Sequence, residues 1–170
     1  MKQLFMLGGT MGVGKTAVSR ELQKRLPDCV MLDGDWCWDA VPFCVTEETR
    51  RMVLQNIVFL LRQFLACSAY QNIVFCWVMH EKAIGDRILE QLDTRECRVH
   101  RLSLVCTEEA LRSRLLGDIA DGRRQPDVLT RSIARLPLYR QMAIETLDTS
   151  ALTPAQAAQA ILEIAAESPR

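Results

Sequence analysis

The chain has 170 residues, 49% of them hydrophobic and 25% charged, and its 21 basic and 21 acidic side chains cancel. That length suits one compact core, and a net charge of zero supplies no field for drawing in nucleic acid or an anionic membrane. The longest apolar region, 52–79, is broken by Gln55, Asn56, Arg62, Gln63, Gln71 and Asn72, so no stretch is expected to span a bilayer. The run Leu4 to Leu7 is too short for an export signal. These features predict a soluble, cytoplasmic chain forming a single domain over 1–170, as a monomer or homodimer. Seven cysteines (Cys29, Cys37, Cys44, Cys67, Cys76, Cys97 and Cys106) include no Cys-x-x-Cys pair and read as small reduced hydrophobes.

Apolar runs with strand character alternate with segments of helical period, the pattern of a parallel sheet covered by helices on both faces. In chain order the predicted strands are Gln3 to Gly8, Cys29 to Asp33, Asn72 to Met79, Arg98 to Cys106 and Ile144 to Thr149. A helix Ala17 to Leu26 follows the first strand and stops at Pro27. A long helix from Glu47 to Cys67, capped by Thr46, places Val53, Ile57, Leu60, Leu61, Phe64 and Leu65 on one face. Further helices are expected over Lys82 to Leu92, from Thr107 to about Arg114, and from Thr153-Pro154 onward. The polar, arginine-bearing stretch 117–127 reads as a mobile lid and 35–50 as a substrate flap. The fold class is therefore α/β: a three-layer α/β/α sandwich with a five-stranded parallel sheet.

The segment Gly9-Thr10-Met11-Gly12-Val13-Gly14-Lys15-Thr16 matches G-x-x-x-x-G-K-[ST], with a strand before it and a helix, beginning at Ala17, after it. Glycines let backbone N–H groups turn toward phosphate oxygens, Lys15 reaches the β and γ phosphates, and the Thr16 hydroxyl can ligate Mg²⁺. These residues are the predicted ATP and Mg²⁺ site.

The second strand ends in Asp33-Gly34-Asp35, on the same sheet edge as the first loop. Phosphoryl transfer needs the metal held and profits from a carboxylate that takes the acceptor's proton. Asp33 fits the first task and Asp35 the second; a plain Asp-Gly turn is the competing account. The third and fourth strands end without a carboxylate, which disfavours a mechanical or switch NTPase and makes Asp33 the metal-side group.

Four further sets of residues are candidates. His80 follows the third strand on the ligand edge, where it could touch substrate or simply link elements. Trp36 and Trp38 follow the aspartates and could wall an acceptor pocket or pack in the core. Arg114, near the end of its helix, and Arg123, in the lid beside Arg124, could neutralise charge on the transferred group or be ordinary solvated arginines. Arg135 opens the run Arg135-Leu136-Pro137-Leu138-Tyr139, which bears on a family.

That run, the P-loop, the Asp33-x-Asp35 pair, Leu147-Asp148-Thr149 and Thr153-Pro154 together resemble the shikimate kinases and related small-molecule P-loop kinases, including gluconate kinase and chloramphenicol phosphotransferase. The resemblance covers nearly the whole chain. It implies Asp33 on the Mg²⁺ side, Asp35 on the acceptor hydroxyl, Arg135 on an anionic acceptor group, and the Asp148 to Pro154 loop, with Thr149, beside the adenine. Two segments differ: Val78-Met79-His80 stands where shikimate kinases carry a glycine triplet, and Phe43-Cys44-Val45-Thr46 lacks their arginine. Trp36, Trp38, Trp77 and Met79 suggest a different pocket, for a more apolar acceptor or a nucleoside.

The expected function is ATP- and Mg²⁺-dependent transfer of the γ-phosphoryl group to a hydroxyl of a small metabolite or antibiotic. A nucleoside or nucleotide kinase and a non-catalytic ATP-binding regulator are the alternatives. A nucleotide kinase needs arginines more than a base, and a regulator needs neither the carboxylate pair nor a lid.

Overall fold

The computed structural model describes residues 1–167. Five strands, β1 (Lys2–Gly8), β2 (Cys29–Asp33), β3 (Asn72–Cys76), β4 (Cys97–Val105) and β5 (Glu145–Asp148), form one sheet in the order β2-β3-β1-β4-β5. Every pairing is parallel, with Leu7 in register with Cys76, Asp33 with Cys76, and Gly8 with Ser103. All five C-terminal strand ends therefore open onto one edge. The helices are α1 (Lys15–Arg25), α2 (Glu47–Ala66), α3 (Lys82–Leu89), α4 (Glu108–Ala120), α5 (Val128–Gln141) and α6 (Pro154–Glu167), and a single 3-10 turn covers Gly34–Cys37. Among the described residues no helix is long and apolar enough to cross a membrane.

Alternation along the strands builds two cores, one on each face. Leu4 and Met6 of β1 join Ile73 and Phe75 of β3 against Val53, Ile57 and Leu61 of α2 and Ile88 of α3. Phe5 and Leu7, with Val74, Leu102 and Leu104, face α1, α4, α5 and α6 through Val18, Leu22, Leu111, Leu115, Leu136 and Ile161. Side chains on consecutive strand positions thus enter opposite layers, and each fully buried one contributes about 1.5–3 kcal/mol of transfer free energy. Pro27 lies just beyond α1, and Thr46 caps α2 by accepting from the Thr49 N–H at 3.1 Å while its own N–H donates to Thr49 Oγ1 at 2.8 Å.

Several element ends differ from the sequence reading, and two of the differences bear on the site. β3 stops at Cys76 rather than Met79, because Met79 adopts a left-handed backbone (φ 36°) that ends extended structure. The helix expected to finish near Arg114 runs on to Ala120, since Leu111, Leu115 and Ile119 continue its apolar stripe at four-residue spacing. The first residues of the expected lid, 117–120, are consequently helical, and the loop proper is 121–127. Of the seven cysteines only Cys76 and Cys106 are fully buried, while Cys44 is exposed.

Candidate active site

The loop 9–14 between β1 and α1 forms the floor of the site. Gly9, Gly12 and Gly14 all have positive φ, at 152°, 84° and 106°. Gly12 is required twice over: besides its φ, a Cβ there would fall 2.5 Å from Leu115 Cδ2. At Gly14 a Cβ would meet nothing within 4 Å, so that side of the loop is open. Helix α1 then begins with no side-chain cap and no acidic residue in its first turn, which leaves its N–H groups and dipole available to an anion. Thr10 Oγ1 donates to Ser132 O at 3.0 Å and ties the loop to α5.

Lys15 Nζ donates to Thr10 O at 3.0 Å. Burial holds its pKa below the ordinary 10.5, with the Asp35 and Asp33 carboxylates pulling the other way and Arg124 adding to the depression. The Thr16 hydroxyl donates to Asp33 Oδ2 at 2.6 Å, and the Asp35 N–H donates to Asp33 Oδ1 at 3.0 Å. Asp33 is buried, so these donors fix its carboxylate. A hydroxyl and a carboxylate are hard oxygen donors of the kind Mg²⁺ takes, one or two from protein and the rest from water and phosphate. Among the described residues no three His, Cys, Asp or Glu side chains gather to cage a metal. Thr16 and Asp33 are the pair that fits one.

Asp35 stands at the mouth of this site on the 3-10 turn. The residue is exposed, but partial loss of water around its carboxyl, then the charge of Asp33, raise its pKa above the usual 3.8, opposed by Lys15, the Trp77 indole and Arg124. Cys76 sits where a carboxylate is absent from the end of β3; burial, then the Asp33 charge, push its thiol up to about 12, so it stays neutral.

The arginines divide in a way the sequence did not indicate. Arg114 Nη1 donates to Val13 O at 3.1 Å, and its Nη2 donates to Thr149 O at 2.6 Å. It braces the P-loop against the β5–α6 connection, where buried Thr149 also donates to Val105 O at 3.1 Å. Arg123 turns outward, 63% exposed, and pairs with Asp118 at 3.0 Å and Asp121 at 2.6 Å. Its neighbour Arg124, anchored through Nε to Asp118 Oδ2 at 3.0 Å, is the arginine of the 121–127 loop whose charge reaches both Lys15 and Asp35. Adjacent residues in a loop are indistinguishable by motif, and only the loop's path separates them.

Beyond Asp35, Tyr139 of α5 donates its hydroxyl to Val78 O and pins the exit of β3. Burial, followed by the charge of Arg135, keeps His80 below its ordinary 6.5, Glu81 opposes this, and Arg50 adds to it. Nδ1 of His80 is buried without a hydrogen-bond partner. Arg50 and half-buried Arg135 make no side-chain hydrogen bond or ion pair with any described residue. Arg50, in the first turn of α2, is the residue that reading missed: the segment Phe43 to Thr46 lacks an arginine, but the helix begins at this edge and supplies one a turn later. Trp36 is 50% exposed with the Arg20 guanidinium 4.9 Å from its ring centroid, and Trp38 packs on Phe43 at 4.5 Å. Both tryptophans line a cleft of about 350 Å³ with Ala40, Pro42, Thr49 and Met52. A larger cleft, about 1030 Å³, lies at the opposite sheet edge around Lys2, Arg62 and Cys97 and touches none of these groups.

In fold the protein is similar to a tunicamycin resistance protein of Deinococcus radiodurans, at 22% identity over 100% of each chain with a TM-score of 0.74. A gluconokinase from Sinorhizobium meliloti 1021 matches with 18% identity over 97% of this chain and 94% of its own, TM-score 0.67. Shikimate kinase from Acinetobacter baumannii, in complex with shikimate, matches with 20% identity over 98% and 93%, TM-score 0.66. A search of curated proteins returns no match. The fold is thus that of the P-loop kinases: a five-stranded parallel sheet between helices. The sequence matches the family described as AAA domain over residues 6–131. That stretch runs from β1 through the P-loop, the acidic pair and the 121–127 loop into α5, and the chain belongs to the AAA domain family.

Proposed function

We propose that the protein is a small-molecule kinase that transfers the γ-phosphoryl group of ATP to a hydroxyl of a small acceptor. The observation that carries this reading is the convergence of Lys15, Thr16-bonded Asp33 and Asp35 at one open loop. The P-loop N–H groups and Lys15 hold the phosphates, Arg114 and Thr149 shape the nucleotide side, and Thr16 with Asp33 would hold Mg²⁺. When bound, that ion neutralises charge on the phosphate oxygens. Asp35 accepts the acceptor's hydroxyl proton as the oxygen bonds to the γ-phosphorus and the β,γ-bridging oxygen leaves with ADP. Its raised pKa makes it a better proton acceptor than an ordinary carboxylate, and Arg124 closes over the transferring group.

The acceptor is a hydroxylated anion. The charges of Arg135 and Arg50 both act on His80, neither arginine pairs with a carboxylate among the described residues, and such a cationic pair is suited to a carboxylate or phosphate. Gluconokinase and a shikimate-bound kinase among the structural neighbours are compatible with that class. Trp36 and Trp38 wall the apolar side of the acceptor. Asp35→Asn tests the reading: kcat should fall by about 100-fold or more, as loss of a general base does, with Mg·ATP affinity unchanged. An unaltered kcat would return Asp35 to a turn residue.

A further inference from the structure

The carboxylate assigned the acceptor's proton needs a fixed orientation, and its own turn does not provide one. The backbone of Asp35 is held on both sides, by its N–H to Asp33 Oδ1 at 3.0 Å and by its C=O accepting from the Trp38 N–H at 3.2 Å. Among the described residues the donor that acts on its side chain is the indole of Trp77, which helps hold the carboxyl's pKa down.

Trp77 is placed there by two constraints. Its backbone N–H donates to Leu7 O at 3.1 Å, which fixes the residue one position past β3 and against the end of β1. Its ring lies on the bare backbone of Gly34: a Cβ there would fall 2.5 Å from both Cδ1 and Cγ and 3.0 Å from Cβ of Trp77. Gly34 has no positive φ, so its lack of a side chain serves this close approach. Cδ1 is bonded to the ring nitrogen, so the edge seated on Gly34 is the one that carries the N–H, and the next residue along is Asp35.

We propose that Trp77 is a positioning residue whose indole N–H, seated on Gly34, donates to the Asp35 carboxylate and leaves its other oxygen facing the acceptor hydroxyl. This rests on the reading of Asp35 given above. An indole is a donor only: it can orient the carboxylate but cannot compete for the proton that arrives there. Orientation of a reacting group is worth orders of magnitude when the geometry is held within fractions of an ångström. The bulky residue at the end of β3 then has a task that a glycine at that position could not perform.

The hydrogen bond is tested without an acceptor by the ¹H–¹⁵N correlation spectrum of the three indole N–H groups, the Trp77 peak being assigned with Trp77→Phe. Asp35→Ala should move the Trp77 peak upfield by more than those of Trp36 and Trp38; a Trp77 peak that stays in place overturns the proposal. Its consequence is read from ADP release by the whole protein with Mg·ATP, water serving as the phosphoryl acceptor. Trp77→Phe keeps the ring and removes the N–H, and should lower kcat about 10- to 100-fold, the worth of a hydrogen bond to a charged group. KM for ATP should not change. Gly34→Ala, which displaces the ring from the opposite side, should reproduce the loss. Neither change should add to that of Asp35→Asn. Full additivity, or an unchanged kcat in Trp77→Phe alongside a depressed one in Asp35→Asn, overturns the positioning role alone. An unchanged kcat in Asp35→Asn overturns the role of Asp35 itself.

Discussion

Thr16 and Asp33 are joined by a 2.6 Å hydrogen bond from the hydroxyl to Oδ2, linking the first turn of α1 to the end of β2. The bond gathers the two oxygen donors that suit Mg²⁺ within one turn of Lys15. It also shares Asp33 with the Asp35 N–H, so the side proposed for the metal and the side proposed for the acceptor are built on one carboxylate.

Lys15→Met should abolish Mg·ATP turnover and leave the fold intact. Burial lowers the pKa of Lys15 below its unfolded 10.5, so at neutral pH the folded chain carries a charge that the unfolded chain solvates better. That penalty is complete below the folded pKa and fades only as pH rises through it. Without nucleotide, therefore, Lys15→Met should melt at the same temperature as wild type or a few degrees higher. A variant that melts lower would mean that the lysine supports the loop instead of waiting for a ligand.

The lid arginines should separate. Arg124→Ala should reduce kcat by about 10³-fold, the lower end for an arginine that stabilises transferring phosphate. Arg123→Ala removes only exposed ion pairs with Asp118 and Asp121 and should change kcat by less than about twofold. Steady-state kinetics on the two single variants decide it, and equal effects would contradict the assignment of Arg124.

Much of this was legible beforehand. The P-loop, the acidic pair and the covered face of α2 follow from spacing, because a strand-loop-helix junction and a heptad-like stripe leave little freedom in where side chains point. What was not legible depends on the path of the backbone. Met79 in a left-handed conformation, with Val78 O held by Tyr139, cuts β3 short and brings His80 and Arg135 together. Nothing in an apolar run announces that bend. Arg123 and Arg124 are chemically identical neighbours, and Arg50 lies in a helix whose N-terminus had to be placed at the ligand edge before the residue meant anything.

Arg135→Lys should raise KM for an anionic acceptor about 10-fold and leave KM for ATP unchanged, because an ammonium cannot reproduce the planar fork of guanidinium. Arg50→Ala should act in the same direction. Equal shifts in both KM values, or a shift for ATP alone, would remove the pair from the acceptor side.

The two histidines should make the protein acid-sensitive. Burial, aided by Arg135 and Arg50 at His80 and by Arg98 at His100, keeps both below their unfolded 6.5. The unfolded chain then binds more protons than the folded one as pH falls below about 6.5, so stability declines from there downward. Melting temperatures from pH 7.5 to 5.0 should fall less steeply in His80→Gln/His100→Gln than in wild type. Parallel curves would contradict the buried, neutral state of both rings.

Phosphoryl transfer to a small hydroxylated molecule is read from ADP release. Purified protein is incubated with ATP, Mg²⁺ and, one at a time, hydroxylated carboxylic acids, nucleosides and aminoglycoside-like compounds, with Lys15→Met as the control. At least one hydroxylated anion should stimulate ADP release well above the rate with water, in step with an equimolar phosphorylated product, and the control should show neither. Tight Mg·ATP binding with no acceptor-dependent release across all three classes would contradict the kinase reading and leave a nucleotide-binding regulator in its place.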